Sequence, residues 1–270
     1  MSMERVAQDG LVLLGCGKMG SAMLAGWLSE GLPPSSVHVI DPNPSDWVQG
    51  TGVHVNGALP ESPAIVLIAV KPQMMGDALP QIAAMDGPVF LSVAAGTSIV
   101  SFEEAFGEGA KVIRAMPNTP AAVGQAITAI IGNDQTSVED LDIAEMLLSA
   151  VGKVVRLDTE DQMDVVTGVS GSGPAYVFHM IECLAAAGEA QGLPPDLAMQ
   201  LAKATVAGAG ALAAVADESP AQLRVNVTSP NGTTQAALEV LMDEEAGLPP
   251  LMRATVGAAS DRSRELKRGE

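Results

Sequence analysis

The feature that most constrains this chain is a four-residue apolar run, Leu11–Leu14, that stops at Gly15-Cys16-Gly17-Lys18-Met19-Gly20 and gives way to a helical apolar pattern from Ser21 to Leu28. A short run apolar on both faces reads as a buried parallel strand covered by helices. The glycines fall where a side chain would block a tight turn or the approach of a pyrophosphate, and the N–H groups of the next helix's first turn are placed to hold phosphate oxygens. The spacing therefore predicts a strand–turn–helix unit with Gly15, Cys16, Gly17, Lys18, Met19 and Gly20 against a dinucleotide. Its rival is a glycine-rich strand–helix connection that binds nothing.

The runs that follow extend the pattern. Val37–Asp41 reads as a second strand. Asp41 ends it about twenty residues beyond the last glycine, where a carboxylate accepts hydrogen bonds from the adenosine ribose of NAD. A phosphate on that ribose would meet a like charge, at a cost of about 1–4 kcal/mol. No Lys or Arg from Asp41 to Gln49 offsets it, although Asn43 and Ser45 can donate hydrogen bonds. The rival reading makes Asp41 the opening residue of the Asp-Pro-Asn-Pro turn. Ala64–Val70 and Pro88–Ala94 are further continuous apolar runs. Ligands of parallel sheets gather at the carboxyl ends of strands, which puts Lys71 and Ala94-Ala95-Gly96 on a cofactor rim; Lys71 can equally be a solvated strand-end charge. Lys111–Arg114, Ala126–Ile131 and Lys153–Leu157 read as strands, with a helix from Val138 to Val151.

After Glu160 helical patterns take over. The expected class is α/β, a Rossmann dinucleotide-binding domain over residues 1–160 followed by an all-α domain over 161–270. Thr167–Pro174 reads as a second glycine-rich turn suited to close helix packing. Two helices are expected at Ala175–Gln191 and Pro195–Val215, and so much apolar surface on one helical pair calls for a second protomer. Leu197–Ala216 is long and Ala-rich, but Gln200 and Lys203 within it favour a buried helix of a soluble protein over a membrane span. In Asn226–Gln235, a Ser229-Pro230-Asn231-Gly232 turn leads into a helix begun by Thr233-Thr234. Those N–H and hydroxyl groups would cradle a small carboxylate, unless the threonines are ordinary caps.

Charge narrows the partners. With 14 basic and 32 acidic residues the net charge is −18, which disfavours nucleic acid and anionic membranes. Cys16 and Cys183 are far apart and show no metal-ligand spacing, so no metal is expected and a reducing, cytoplasmic setting fits. The stretch before the first strand has no apolar core region, so no secretory signal is expected.

Taken in order, GCGKMG, AVKPQ, VAAGTSI, RAMPNTPA, TGVSGSGPAYVF and VTSPNGTT span almost the whole chain. Together they resemble the pyrroline-5-carboxylate reductases. The resemblance implies reduction of 1-pyrroline-5-carboxylate to L-proline, the last step of proline biosynthesis, by hydride transfer from NADPH or NADH. It also implies a helical domain that interlocks with a partner's to give a homodimer, often built into rings of dimers. By the same resemblance Asn56, Val70, Lys71 and Ala95 line the cofactor, Asp41 and Asn43 meet the adenosine ribose or its phosphate, and Asn226 approaches the nicotinamide. Ser229, Thr233 and Thr234 would grip the substrate's carboxylate and ring nitrogen, with Thr234 the catalytic holder of the imine. Glu160 falls at a substrate-contacting acid, and the partner chain would supply parts of the pocket.

Three positions depart from the family pattern. Asn231-Gly232 replaces Gly-Gly, and Val225 replaces an acid beside Arg224. Asp41 stands where relatives that favour NADPH carry a small hydroxylated residue, and so points to NADH. Two rivals share the plan: a reductase of another cyclic imine or a hydroxyacid dehydrogenase, and a non-catalytic dinucleotide-binding protein. The dehydrogenase normally needs a lysine early in the helical domain, and none follows Pro174 until Lys203.

Overall fold

The computed structural model describes residues 2–268. Its sheet comprises β1 Leu11–Leu14, β2 Val37–Ile40, β3 His54–Val55, β4 Ile65–Ile68, β5 Val89–Ser92, β6 Lys111–Met116, β7 Ala126–Gly132 and β8 Gly152–Arg156. The strand order is β3-β2-β1-β4-β5-β6-β7-β8, parallel except where β7 runs against β6. Order reverses beside β1, and a doubly wound sheet opens its ligand crevice at such a reversal.

Period-two alternation puts β1 in contact with both layers. Leu11 and Leu13 join a buried cluster with Met23, Leu24, Trp27 and Leu147, whereas Val12 and Leu14 join another with Ile68, Phe90 and Phe102. Trp27 is fully buried, and its Nε1 donates to the Leu147 carbonyl at 2.8 Å. Burying each such large side chain contributes about 1.5–3 kcal/mol.

Contacts divide the chain differently from the expected break at residue 160. One compact unit comprises Met1–Gly171 with Ala259–Glu270, the other Ser172–Ala258. The short helix Gln162–Val166 stays with the sheet unit because its buried Asp164 accepts from Ser263 Oγ at 2.7 Å. The expected turn at Thr167–Pro174 is instead a π-helical stretch, Thr167–Gly171, continuous with that helix. Thr167 and Ser170 donate to the carbonyls of Met163 and Val166, four residues back, and such back-bonding hydroxyls help bend a helix. A side chain at Gly171 would meet the flexible end of Met116 from β6.

In the second unit, helices Gly173–Ala190 and Pro195–Val215 bury Ala185, Ala198 and Ala202 between them. Phe178, Met180, Leu184, Leu197, Leu201 and Leu212 remain exposed. Within the single chain one edge of helix Pro195–Val215 packs and the rest is open. By length and composition alone this helix could cross a membrane.

Candidate functional site

The glycine turn is built as its spacing predicts. Gly15 has φ +89, and a Cβ there would lie 2.8 Å from Val70 Cγ1 and 3.0 Å from the Ala69 carbonyl oxygen. At Gly20 a Cβ would lie 2.4 Å from the Gly15 carbonyl oxygen, so only glycine lets the helix approach the turn. Gly17 differs. Nothing lies within 4 Å of the position a Cβ would take. It is the N-cap of helix Lys18–Ser29 with no side-chain cap bond, leaving the N–H groups of the first turn for a ligand. Gly17 and Lys18 are exposed and Met19 half-buried, at the carboxyl end of β1. An exposed helix start, bare of side chains, fits a dinucleotide pyrophosphate.

Cys16 is buried behind this surface, with its Sγ 3.5 Å from Ser21 Oγ. Burial pushes its thiol up, so it is an inert packing group.

Asp41 ties the turn to the end of β2. Its Oδ2 accepts the Cys16 N–H at 2.6 Å and its Oδ1 the Asn43 N–H at 2.8 Å. Both carboxylate oxygens of Asp41 thus take backbone N–H groups, one inside the Asp-Pro-Asn-Pro turn, as the turn reading expects, and one from the glycine loop. Asn56, in the left-handed region at φ +51, brackets it from the end of β3. Its Oδ1 accepts the Asp41 N–H at 3.0 Å and its Nδ2 donates to the Asp41 carbonyl at 2.7 Å. Val70, Lys71 and Ala95 follow the ends of β4 and β5 on the same sheet edge, with Lys71 and Ala95 exposed.

Glu160 sits deeper than a freely offered acid. Its Oε1 accepts from Arg114 at 2.8 Å and from the Ile99 N–H at 3.0 Å. Sequence reading missed Arg114, whose side chain is only 1% exposed. The signal was one arginine inside the otherwise apolar strand end VIRAM.

In the second unit, Asn226 ends helix Pro220–Asn226, exposed, and accepts from Gln222 at 2.8 Å. Arg224, without an adjacent acid, turns to the Met242 sulfur. The loop beyond is tightly made: the Gly232 N–H donates to the Ser229 carbonyl at 3.0 Å, and Gln235 Oε1 accepts the Asn231 N–H at 2.8 Å. Asn231 adopts φ +57, the left-handed conformation that asparagine tolerates. Helix Thr233–Leu241 is capped by Gly232, with no side-chain cap bond. The ordinary-cap reading of Thr233 and Thr234 is therefore excluded. Ser229, Thr233 and Thr234 flank this one helix start.

Known proteins resemble this chain along nearly its whole length. A family described as "Pyrroline-5-carboxylate reductase dimerisation" matches residues 160–266, and one described as "NADP oxidoreductase coenzyme F420-dependent" matches residues 11–96. The pyrroline-5-carboxylate reductase of Synechocystis sp. is 41% identical over 264 residues, covering 95% of this chain and 97% of its own. A solved pyrroline-5-carboxylate reductase from Coxiella burnetii superposes with TM-score 0.89 at 31% identity, over 96% of this chain and 98% of that one. The Plasmodium falciparum pyrroline carboxylate reductase, solved with NADP bound, gives TM-score 0.80 at 27% identity, over 96% and 98%.

Proposed function

The chain belongs to the pyrroline-5-carboxylate reductase family, and from that premise we propose that it reduces 1-pyrroline-5-carboxylate to L-proline with a hydride from NADPH or NADH. The observation that carries the reading is the pairing of a bare glycine turn at the β1 end with the Ser229–Thr234 loop, both intact in one chain.

A bound dinucleotide supplies the hydride. The chain's part is to hold and orient. Gly17, Lys18 and Met19 present first-turn N–H groups to the pyrophosphate, while Gly15, Cys16 and Gly20 shape the turn beneath it, the Gly15 and Cys16 N–H groups being taken by the Ile40 carbonyl and Asp41. Asn56, Val70, Lys71 and Ala95 line the cofactor, and Asn226 approaches its nicotinamide end. Ser229 and Thr233 grip the substrate carboxylate, Thr234 hydrogen-bonds the ring nitrogen, and Glu160 borders the substrate. A cyclic imine protonated on nitrogen is already electrophilic, so placing the reacting atoms about 3–3.5 Å apart removes much of the barrier with no covalent step. Thr234→Ala should lower kcat/KM by roughly tenfold to a hundredfold with dinucleotide affinity unchanged. Unchanged kcat/KM would remove Thr234 from the role.

Asp41 argues for NADH, because its carboxylate repels a phosphate on the adenosine ribose, while Asn43 offers that ribose a hydrogen bond; the Plasmodium relative, by contrast, holds NADP. The working form is a homodimer or a ring of dimers, supported by the open apolar faces of the second unit. The acidic net charge and two free cysteines suit a cytoplasmic protein. Initial rates of NADH and NADPH oxidation with 1-pyrroline-5-carboxylate, with proline measured as product, test the whole reading. Proline formation with NADH preferred supports it, an NADPH preference reduces Asp41 to a turn residue, and no proline with either cofactor overturns it.

A further inference from the structure

Arg114 stands on the face of β6 that also carries Val112, a member of a buried apolar cluster, and its cross-strand neighbours are Ser92 on β5 and Ile131 on β7. A charge in such a place is poor material for stability alone, since a well-packed apolar side chain of similar volume is often as good or better. The cost is visible: Arg114 Nη2 is buried with no hydrogen-bond partner among the described residues. What the charge secures is geometric. Arg114 fixes Glu160, 46 residues away, and the same Glu160 oxygen takes the first N–H of helix Ile99–Phe106, 61 residues away.

That helix is the far anchor of the loop leaving β5, Val93–Ser98. At its near end Ser92 Oγ accepts the Ala94 N–H at 3.2 Å, in a fully buried bond. In the middle, Gly96 has φ +75, and a Cβ there would lie 3.4 Å from Leu266 Cβ, so the end of the last helix covers the loop. The loop carries Ala95 to the sheet edge shared with the glycine turn. The Val93 N–H to the Ile68 carbonyl at 3.0 Å and the Ser98 cap of helix Ile99–Phe106 hold it too, but the Glu160 anchor is the one that comes from an ion pair distant in sequence, with Arg114 buried and Glu160 partly so.

We propose that Arg114 is a positioning residue for dinucleotide binding: it holds the Glu160 carboxylate at the start of helix Ile99–Phe106 and thereby sets the Val93–Ser98 loop against the cofactor. The proposal rests on the family reading of this edge as the dinucleotide site. A purely stabilising ion pair would change the unfolding midpoint and leave the affinity of the folded chain alone.

The test measures dissociation constants for NADH and NADPH from nicotinamide fluorescence, without imine, alongside unfolding midpoints. Wild type is compared with Glu160→Gln, Arg114→Lys and Arg114→Met. Glu160→Gln and Arg114→Met are expected to weaken binding by about tenfold, since small misplacements of a positioning loop are costly. Arg114→Lys keeps the charge without the planar fork and should fall between them and wild type. The proposal is overturned if Glu160→Gln and Arg114→Lys both bind within about twofold of wild type, whatever their stability; those two variants decide the matter if Arg114→Met does not fold. Wild-type chain that binds a dinucleotide but makes no proline breaks the functional reading while leaving this comparison in force. Wild-type chain that binds neither dinucleotide overturns both.

Discussion

The sheet unit and the helical unit solve the burial problem in opposite ways. Around β1, alternate residues enter two apolar clusters, and Trp27, Leu11, Leu13 and Ile68 are almost completely shielded from water. In Ser172–Ala258 the shielded apolar side chains are three alanines, while Phe178 and Leu201 stay 60% and 48% exposed. The first unit completes its own core, so its glycine turn is rigidly placed within one chain. The second has the composition of a core and the exposure of an interface, which is how half of an obligate two-fold assembly looks when seen alone.

The largest effect should come from putting charge on that open face. Phe178→Asp with Leu201→Asp introduces two unpaired carboxylates per copy, each costing several kcal/mol if buried between chains. The expected result is loss of assembly and of turnover, with dinucleotide binding by the sheet unit retained; sedimentation and fluorescence titration check it. An assembled, active double variant would show that the face is not the interface.

Next comes the glycine turn, where two positions separate packing from binding. Gly20→Val drives a side chain into the Gly15 carbonyl and should cost about 3 kcal/mol or more in urea unfolding. Gly17→Ala meets open space, so stability should move by less than about 0.5 kcal/mol while dinucleotide affinity falls. Equal stability losses at the two sites would contradict the assignment of Gly17 to the ligand.

The smallest effect probes the sheet unit's self-sufficiency through pH. Asp140 is 1% exposed and caps helix Val138–Ser149 through Ser137, with Lys111 at 3.0 Å. Burial pushes its carboxyl up, but the bonds from Ser137 and Lys111 outweigh that and hold it below the usual range. A group depressed in the folded state stabilises fully above its unfolded value, near pH 4, and the benefit is lost as pH falls through the folded value. Asp140→Asn should therefore cost about 1 kcal/mol at neutral pH, the gap to wild type closing below about pH 4. A pH-independent gap would remove the carboxylate from this role.

The same contrast governs what was legible in the sequence. Leu11–Leu14, the glycine turn and the Pro195–Val215 helix were readable because local apolar runs, glycines and prolines set them. Asn231 was readable as well, since its left-handed conformation is a property of the residue. The π-helical stretch at Thr167–Gly171 was not, because glycines signal a turn locally, whereas the chain here stays helical with Thr167 and Ser170 bonded to carbonyls four residues back. Arg114 was hidden for a related reason: its partner Glu160 lies 46 residues away and in turn reaches Ile99, 61 residues from Glu160, and spacing along the chain carries no trace of either link. Helix Ser2–Asp9 escaped notice because it is only eight residues long and polar overall, and β3 because it is two residues long.

The most direct measurement is sedimentation velocity of the wild-type protein across a dilution series, with proline formation assayed in the same samples. A dimer or a multiple of dimers is expected wherever turnover is seen, with turnover lost as the assembly dissociates. A monomer with full turnover would contradict it.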